Sequence, residues 1–254
     1  MTNKLLTIVF INKNGGTVFK KALKAAKQLT SNILVVDSGS TDESKSYAND
    51  VEAKWFQREW PGDFANQRNY AQSLVHTDWI LFLDSDEILT DDLKNSIQKA
   101  ITSSTIPTIY SCERINHIHG KPIRYGSMSH DKVDRLYKRN EAFWVGDVHE
   151  RLISKEKIKK KELKGQLLHF SYSSFESWLQ KANYYTSLWA KQHEDQKCSL
   201  GKIITKTLFA FMKSYFLQLG VLGGRLGLVT SWMHAFYTFE KYIKLYDSHR
   251  INRK

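Results

Sequence analysis

Cysteine and proline are scarce in this chain of 254 residues, which contains two cysteines and three prolines. Cys112 and Cys198 lie far apart and lack the spacing of metal ligands, which argues against a disulfide scaffold or a zinc module. Two separate thiols fit a reducing cytoplasm, and we expect both to be buried in the core. A hydrophobic content of 41%, with 13% aromatic residues, excludes a disordered or low-complexity protein.

Long hydrophobic runs are also missing. The most apolar region, residues 203–246, is interrupted by charged residues such as Lys213 and Arg225. No stretch therefore reaches the roughly 18 to 20 apolar residues that a membrane-spanning helix needs. Met1 leads almost at once into a strand-like stretch and not into a secretory signal. The sequence predicts a protein that stays inside the cell and has no transmembrane helix.

Acidic residues are scarce in one part of the chain only. The whole chain has 38 basic and 26 acidic residues, which gives a net charge of +12. Residues 1–150 contain 19 side chains of each sign, whereas residues 151–254 contain 19 basic and 7 acidic side chains. The positive excess therefore lies in the C-terminal part, where it points to a nucleic acid or to an anionic membrane surface.

The first hundred residues alternate between strand and helix patterns. Residues 5–11, 33–36 and 79–83 are apolar runs typical of strands buried on both faces of a parallel sheet. Apolar residues at helical spacing lie between them, and a further strand is expected near residues 53–57. This order predicts an α/β fold with a doubly wound, mostly parallel sheet.

The connections and the C-terminal part carry three further predictions. Residues 40–43 have the pattern of a capping box, with Ser40 as the N-cap residue of a short helix. The charged residues 155–164 predict a solvated hairpin or loop. After them, a helix beginning at residues 173–176 and two more helices separated by glycines predict a helical, basic C-terminal extension.

Polar side chains follow the predicted strands at their carboxyl ends, namely Asn12, Asp37, Asp84 and Asp86. Ligands of open α/β sheets bind beyond these ends. Asp84 and Asp86 together offer the oxygen ligands that a hard divalent cation prefers, although the same pattern fits an acidic turn before a helix. Asp37 is able to accept hydrogen bonds from a nucleobase or a ribose.

Other charged residues are open to two interpretations. Glu87 and Asp78 add negative charge near the acidic pair, which is tolerable only if a cation or solvent compensates it. Arg68 either pairs with a diphosphate or holds the carboxylates in place, and a plain surface arginine is equally compatible with the sequence. Residues 147–150 place acids beside a histidine, which suits a general base or a metal ligand, but a solvated turn explains the same residues.

Several motifs occur in one order along the chain, at residues 35–42, 67–69, 83–87 and 148–152. Together they resemble the inverting glycosyltransferases of family 2, which have the GT-A fold. Residues 169–172 and 234–239 are similar to the narrower WaaE/KdtX-like branch, which includes lipopolysaccharide inner-core glucosyltransferases of the LgtF type. The resemblance covers nearly the whole chain.

The resemblance implies a nucleotide-sugar donor and a divalent cation, Mg²⁺ or Mn²⁺. By motif matching, Asp37 would contact uracil or ribose, and Asn12 would lie near the nucleobase. Asp84 and Asp86 would meet the ribose and the metal-bound diphosphate, with Asp86 as the main metal ligand. Arg68 would support the diphosphate.

The resemblance also implies a single displacement with inversion at the anomeric carbon. Glu150 would be the catalytic base, with Asp147 as the second choice, and His149 would be a further metal or phosphate contact. Gly15 departs from the family pattern, in which an acid usually follows the residue matching Asn14. For this reason, the resemblance assigns no site role to Gly15 in this first loop.

The implied reaction moves glucose from UDP-glucose to a heptose of the lipopolysaccharide or lipooligosaccharide inner core. Residues 1–165 would form the GT-A nucleotide-sugar-binding and catalytic domain, and residues 166–254 a helical region for acceptor and membrane association. The basic extension then points to a phosphorylated, lipid-linked oligosaccharide acceptor and to a peripheral position on the cytoplasmic face of the inner membrane.

Other functions remain open on the sequence alone. A family 2 transferase with another nucleotide sugar and a different cell-surface glycan has the same motifs. A nucleotidyltransferase also uses carboxylate-held cations, but the Gly-rich basic loop expected near its N-terminus is missing. A nucleic-acid-binding protein is disfavoured, because aromatic residues such as Trp178 and Trp189 recur at helical intervals and are expected to pack inside.

Overall fold

The computed structural model describes residues 5–104, 106–146, 150–154, 158–172 and 174–251. Within these ranges the chain forms eleven strands. They are β1 (Leu6–Asn12), β2 (Ile33–Asp37), β3 (Lys54–Gln57), β4 (Trp79–Asp84), β5 (Glu87–Leu89), β6 (Thr108–Ile118), β7 (Lys121–Pro122), β8 (His130–Lys138), β9 (Ala142–Val145), β10 (Arg151–Ser154) and β11 (Lys159–Tyr172).

The same ranges contain seven α-helices. They are α1 (Gly16–Lys27), α2 (Ser44–Asp50), α3 (Phe64–Ser73), α4 (Asp91–Ser103), α5 (Phe175–Gln192), α6 (Leu200–Met212) and α7 (Gly224–Ile251). A π-helical segment, Lys213–Leu217, and a 3₁₀ turn, Gly220–Gly223, connect α6 to α7. No helix in the described ranges is both long enough and apolar enough to cross a membrane.

The main sheet has the strand order β3-β2-β1-β4-β8-β6-β11-β5, with β7 paired to β6, while β9 and β10 form a separate hairpin. The strands β3, β2, β1 and β4 run parallel to one another. The pairs β4–β8 and β5–β11 are antiparallel. The prediction of an α/β fold built on parallel strands, with a helical C-terminal extension, is confirmed.

Strand β1 shows why the parallel strands are apolar throughout. Ile8 and Phe10 pack on one face of the sheet with residues of α1 and α4. Val9 points to the opposite face, where it joins a cluster that includes Ala65 and Ala71 of α3. Since successive side chains of a strand face opposite sides, helices on both faces leave no solvent-exposed position along β1 for a polar residue.

The predicted capping box at Ser40 is wrong. Helix α2 begins at Ser44, and its N-cap residue Glu43 makes no side-chain cap. Ser40 instead donates its hydroxyl hydrogen to Asp37, and its Oγ accepts from the backbone N–H of Asn14 at 2.8 Å. A hydroxyl beside a buried carboxylate gains a stronger, charge-assisted hydrogen bond there than at a solvent-exposed helix end.

The charged residues 155–164, predicted as a solvated hairpin or loop, belong in part to a strand, because β11 occupies residues 159–172. Its register with β5 places Leu167 opposite Leu89. Lys160 pairs with Asp134 at 2.6 Å across the surface. Backbone pairing within the sheet makes this stretch a strand. The side chains of Lys159, Lys160 and Lys161 do not indicate that pairing.

The chain forms two compact units. The first consists of residues 1–114 and 131–169, and the second of residues 115–130 and 170–254. The hairpin segment 115–130 thus belongs with the C-terminal helices. The functional division into a catalytic part, residues 1–165, and an acceptor part, residues 166–254, stays a prediction.

The two cysteines differ in their surroundings, so the prediction that both are core thiols holds for one of them. Cys112 is buried, whereas Cys198 is only partly buried. Burial raises the pKa of Cys112 to about 12. We expect Ellman's reagent to modify Cys198 alone in the native protein and both thiols in denaturant, because the thiolate is the reactive species. The variant Cys198→Ser should show no native labelling, and native labelling of that variant would contradict the buried position of Cys112.

Candidate active site

The carboxyl ends of three parallel strands bring predicted site residues to one edge of the sheet. The register places Asn12 of β1 opposite Asp37 of β2, and Ile11 opposite Asp84 of β4. Asn12 donates from Nδ2 to Asp37 Oδ1 at 2.9 Å. These residues lie in the first unit, where the sequence predicted a ligand cleft.

Asp37 holds the loop that follows β2. Its Oδ2 accepts the backbone N–H groups of Gly39 at 3.0 Å and Ser40 at 2.8 Å. Its Oδ1 accepts from Asn12 and from the Ser40 hydroxyl. Asp37 is only 2% exposed, and its hydrogen bonds fix the shape of this loop. A nucleoside can bind its carboxylate only by replacing one of these hydrogen bonds.

The first loop is too tightly packed for a side chain at position 15. A Cβ built on Gly15 would lie 2.5 Å from Asn12 Oδ1 and 2.6 Å from Phe19 Cβ. The Asn12 Oδ1 atom is itself buried and has no hydrogen-bond partner among the described residues. This crowding disfavours an acidic side chain at position 15, where the family that the sequence resembles usually has one.

The motif Gln67-Arg68-Asn69 on α3 connects three parts of the site. Gln67 donates to the Ser38 hydroxyl at 3.1 Å, next to the Asp37 loop. Asn69 exchanges two hydrogen bonds with the backbone of Trp144, at 2.8 and 2.9 Å. Arg68 is 1% exposed, so the alternative of a plain surface arginine is wrong.

Arg68 joins two carboxylates that are distant in sequence. Its Nη2 donates to Asp84 Oδ1 at 2.7 Å and to Glu150 Oε1 at 3.2 Å. The guanidinium carbon lies 4.7 Å from the centroid of the Trp144 ring and 5.6 Å from that of Phe82. Glu150 directly precedes β10, and its side chain is 19% exposed, so it keeps some access to solvent.

A second arginine binds the other oxygen of Asp84. Arg135 of β8 donates from Nη2 to Asp84 Oδ2 at 2.9 Å and to Glu87 Oε1 at 2.6 Å. Glu87 is fully buried and also accepts from Arg114 at 3.0 Å. Arg114 in turn makes a two-pronged contact with Asp131, at 2.9 and 2.7 Å.

These contacts form one alternating series of carboxylates and guanidinium groups, which we call the ion-pair chain. Its members are Glu150, Arg68, Asp84, Arg135, Glu87, Arg114 and Asp131. The predicted extra negative charge of Glu87 is therefore compensated by arginines and not by a cation or solvent. Asp78, the other acid of that prediction, precedes the opposite end of β4.

The ion-pair chain keeps Asp84 ionised. Burial by itself raises the pKa of this carboxyl, but Arg68 and Arg135 more than reverse that effect and hold the pKa well below its usual range. Each Asp84 oxygen contacts one arginine, which leaves a second lone pair on each oxygen for a ribose hydroxyl or a cation. Asp84 is therefore compatible with both the predicted donor-binding role and the predicted metal role.

Asp86 is the second carboxylate of the acidic turn that follows β4. Its side chain is 28% exposed, and its Oδ1 lies 3.4 Å from Nε2 of His169. His169 reaches the turn because β11 pairs with β5 and places His169 opposite Glu87. His169 belongs to the motif at residues 169–172, for which the resemblance predicts no site role.

The donor set of this turn fits a divalent cation. Asp86 and the ion-pair chain together contain five carboxylates and three guanidinium groups, an excess of two negative charges. The described residues include no cluster of three or more side-chain metal ligands. Mg²⁺ and Mn²⁺ do not require such a cluster, because they keep bound waters and bind phosphate oxygens of the substrate in addition to one or two protein ligands.

Two predicted site residues lie outside the described residues, namely Asp147, the second choice for the base, and His149, the further metal contact. Glu150 is the described member of that motif. The structure therefore brings together Asn12 with Asp37, and Arg68 with Asp84 and Glu150, while Asp86 lies in the same turn as Asp84.

The ion-pair chain predicts a large stability effect at Glu87. We expect Glu87→Gln to lower the free energy of unfolding by about 3 kcal/mol, because two guanidinium groups lose their shared buried carboxylate. Urea unfolding followed by circular dichroism measures this change. The control is Glu52→Gln, whose carboxylate is 86% exposed beside Lys27 and whose loss should not shift the midpoint. Equal midpoints for both variants would show that Glu87 is not required for stability.

Comparison with known proteins identifies the class of this enzyme. Residues 7–175 match glycosyl transferase family 2. An uncharacterized glycosyltransferase of Rickettsia prowazekii is 28% identical over 258 residues, covering 96% of this chain and 87% of the relative. A second one, from Rickettsia conorii, is 29% identical over 262 residues, covering 98% of this chain and 92% of the relative. The chain belongs to glycosyltransferase family 2.

A solved structure agrees with the fold. The mannosyltransferase PcManGT from Pyrobaculum calidifontis, in complex with GDP-Man and Mn²⁺, aligns with a TM-score of 0.53 at 12% identity, covering 94% of this chain and 86% of that chain. The GT-A fold predicted from the sequence is thereby confirmed, as is the predicted glycosyltransferase family. The WaaE/KdtX-like branch stays a prediction.

Proposed function

We propose that this enzyme is an inverting, metal-dependent glucosyltransferase that transfers glucose from UDP-glucose to a heptose of the lipopolysaccharide or lipooligosaccharide inner core. Membership of family 2 supports sugar transfer from a nucleotide sugar. The motif order supports the inverting mechanism, and the C-terminal resemblance supports the acceptor.

One observation supports the mechanism most strongly. Arg68 contacts both Asp84, at the end of β4, and Glu150, which is 82 residues away from Arg68 along the chain. An arginine shared by a strand-end carboxylate and a partly exposed glutamate fixes the distance between a donor-binding residue and a base. Such fixed geometry is what a single displacement needs, because the acceptor must attack opposite the leaving group.

The donor would bind at the carboxyl ends of β1, β2 and β4. Asn12 would face the nucleobase, and Asp37 would meet uracil or ribose by exchanging one of its loop hydrogen bonds. Asp84, kept ionised by its two arginines, would accept hydrogen bonds from ribose hydroxyls. Arg68 would add positive charge on the side of the diphosphate.

Asp86 would hold the divalent cation, Mg²⁺ or Mn²⁺, and His169 is the second side chain within reach. A bound divalent cation stabilises the charge that develops on the departing nucleoside diphosphate. His149 would be a further metal or phosphate contact. Asp84 is the other candidate ligand, and its ion pairs with two arginines would keep its carboxylate in place.

Glu150 would act as the general base. It would take the proton of the acceptor hydroxyl while the hydroxyl oxygen bonds to the anomeric carbon and the bond from that carbon to UDP breaks. The proton ends on the Glu150 carboxylate, and the electron pair leaves with UDP. Arg68 would orient the carboxylate before the transfer. Asp147 is the second candidate for this role.

The acceptor would be a phosphorylated, lipid-linked oligosaccharide, reached by an enzyme bound peripherally to the cytoplasmic face of the inner membrane. The excess of 19 basic over 7 acidic residues in positions 151–254 supports an anionic partner of this kind. A family 2 reaction with another nucleotide sugar and a different cell-surface glycan is the alternative, because a few hydroxyl contacts distinguish one hexose from another.

A turnover assay tests the proposal. Purified enzyme is incubated with UDP-glucose, Mn²⁺ or Mg²⁺ and truncated lipooligosaccharide, and UDP release is measured. We expect release that requires both the cation and the acceptor. A panel of other nucleotide sugars separates the alternative from the proposal, and absence of UDP release with every donor and acceptor tried would overturn both. Release of pyrophosphate from a nucleoside triphosphate would indicate a nucleotidyltransferase.

A further inference from the structure

Large apolar side chains are exposed mainly in one segment of the second unit. Among the described residues, 21 large apolar side chains are exposed, and 15 of them lie between positions 200 and 239. We call this set the apolar face. Its members are Leu200, Ile204, Leu208, Phe209, Met212, Phe216, Leu217, Leu219, Val221, Leu222, Leu228, Val229, Trp232, Phe236 and Phe239.

Close packing behind the apolar face keeps it in place. Ser214 and Ser231 share a buried hydrogen bond of 3.0 Å between the π-helical segment and α7. A Cβ on Gly227 would overlap the carbonyl oxygen of Gly220, so the 3₁₀ turn rests directly on the α7 backbone. Helix α6 buries Ile203 and Ala210 against its surroundings and turns its larger apolar residues outward. The exposure therefore belongs to an ordered surface.

The turn at Leu219 shows that this exposure is maintained at a cost. Leu219 has φ 60°, in the left-handed region that side chains other than glycine rarely adopt. Its side chain is nevertheless 51% exposed. A polar residue or glycine would serve a solvent-facing turn better, so an exposed leucine here is expected only if the side chain meets something apolar.

The sequence segment that contains the apolar face carries charges of one sign. Residues 196–239 contain no aspartate or glutamate and five basic residues, Lys197, Lys202, Lys206, Lys213 and Arg225. Burial, and then the nearby charges of Lys213 and Lys241, lower the pKa of His234 on α7. Positive charge near this face is thus not neutralised by acids of the same segment, and an anionic partner would relieve the repulsion.

We infer that the apolar face is a docking surface for an anionic phospholipid bilayer and inserts its leucine and phenylalanine side chains into the interfacial layer. The inference deepens the proposed function, since it rests on the acceptor being lipid-linked. Apolar side chains beside lysine and arginine suit the boundary between headgroups and acyl chains. A symmetric pairing of two copies through this face is disfavoured, because it would bring the same five basic residues of each copy together.

Vesicle co-sedimentation of the full chain, without nucleotide or acceptor, tests the inference. The probes are vesicles of phosphatidylcholine alone and vesicles in which a third of the lipid is phosphatidylglycerol. We expect binding to the second kind that weakens with added salt. The double variant Lys206→Gln with Lys213→Gln should bind about 25-fold more weakly, at about fivefold for each charge removed near the surface.

Two apolar variants test insertion. Leu222→Glu should reduce vesicle affinity by at least about tenfold, because it replaces an inserted apolar side chain with an anion. Leu219→Gly should reduce affinity by about tenfold without lowering the thermal midpoint, since glycine accepts the left-handed conformation. The matched control is Tyr184→Glu on α5, where the native tyrosine is 56% exposed, close to the 61% of Leu222, and vesicle affinity should stay unchanged.

Several outcomes would overturn the inference. Equal binding to both kinds of vesicle, no binding to either, or full binding by Leu219→Gly and Leu222→Glu would each do so. A wild-type dimer in sedimentation velocity that Leu222→Glu converts to a monomer would show a contact between copies instead. UDP release in detergent, where no bilayer is present, reports on the proposed function alone, so the two claims fail separately.

Discussion

Glu150→Gln is expected to lower kcat for sugar transfer by about 10²- to 10⁴-fold while UDP-glucose binding changes little. Glutamine keeps a side-chain oxygen that accepts from Arg68, which in the native enzyme lies 3.2 Å from Glu150 Oε1. The contacts of Arg68 with Asp84, the proposed donor-binding residue, are therefore preserved, but the amide cannot take a proton. Single-turnover assays for transfer and calorimetry for donor binding measure the two effects.

The control for this experiment is Glu162→Gln, which changes a surface glutamate paired with Lys132 at 2.6 Å and should leave kcat unchanged. Unaltered turnover in Glu150→Gln would contradict its role as the base and would move that role to Asp147. Lost donor binding in the same variant would show that Glu150 acts through Arg68 as a positioning residue.

Asp86→Asn is expected to reduce turnover by about a thousandfold, because a divalent cation supplies several kcal/mol of stabilisation to the leaving diphosphate. The neutral amide removes one of the two excess negative charges that favour a divalent cation at this turn. Mn²⁺ binding in the presence of UDP, followed by electron paramagnetic resonance, gives a readout that does not depend on catalysis. Bound Mn²⁺ should fall together with kcat.

Asp78→Asn is the matched control for Asp86, because Asp78 is an exposed acid just before the other end of the same strand, Trp79–Asp84. It should bind Mn²⁺ and turn over like the wild type. Native Mn²⁺ binding in Asp86→Asn would show that other residues hold the cation, and His169→Ala would then tell whether the histidine is one of them.

The parallel half of the sheet could be predicted because its physical cause is local. A strand covered by helices on both faces must be apolar at every position, and residues 33–36 and 79–83 satisfy this. The start of α2 could not be predicted in the same way. Ser40 bonds to Asp37 and Asn14 instead of capping the helix, and that choice depends on a loop from a neighbouring strand.

Part of the candidate site could also be predicted from the sequence. Asn12, Asp37 and Asp84 end apolar strands, so their common edge follows from the parallel order. The ion-pair partners of Asp84 could not be predicted, because Arg135 lies next to Asp84 only through the antiparallel pairing of β4 with β8. One signal was available, since Arg135 directly precedes the apolar pair Leu136 and Tyr137 in β8, a position where a buried charge requires a partner.

His169 illustrates the same limit. It comes within 3.4 Å of Asp86 because β11 returns beside β5, 83 residues further along the chain. Because β11 begins with several lysines, its sequence pattern does not indicate a strand. Residues that long-range pairing brings together have no characteristic spacing in the sequence, so a metal site at this turn was predicted from its acids alone.

The configuration of the transferred sugar tests the proposed reaction most directly. Enzyme, Mn²⁺, UDP-glucose and truncated lipooligosaccharide are incubated together, and the anomeric proton of the new linkage is observed by NMR. UDP-glucose is an α-glucoside, so inversion with Glu150 as base predicts a β-linked glucose that forms only while the cation is present. An α-linked product, or β-linked product that forms equally well after chelation of the metal, would contradict the inverting, metal-dependent mechanism.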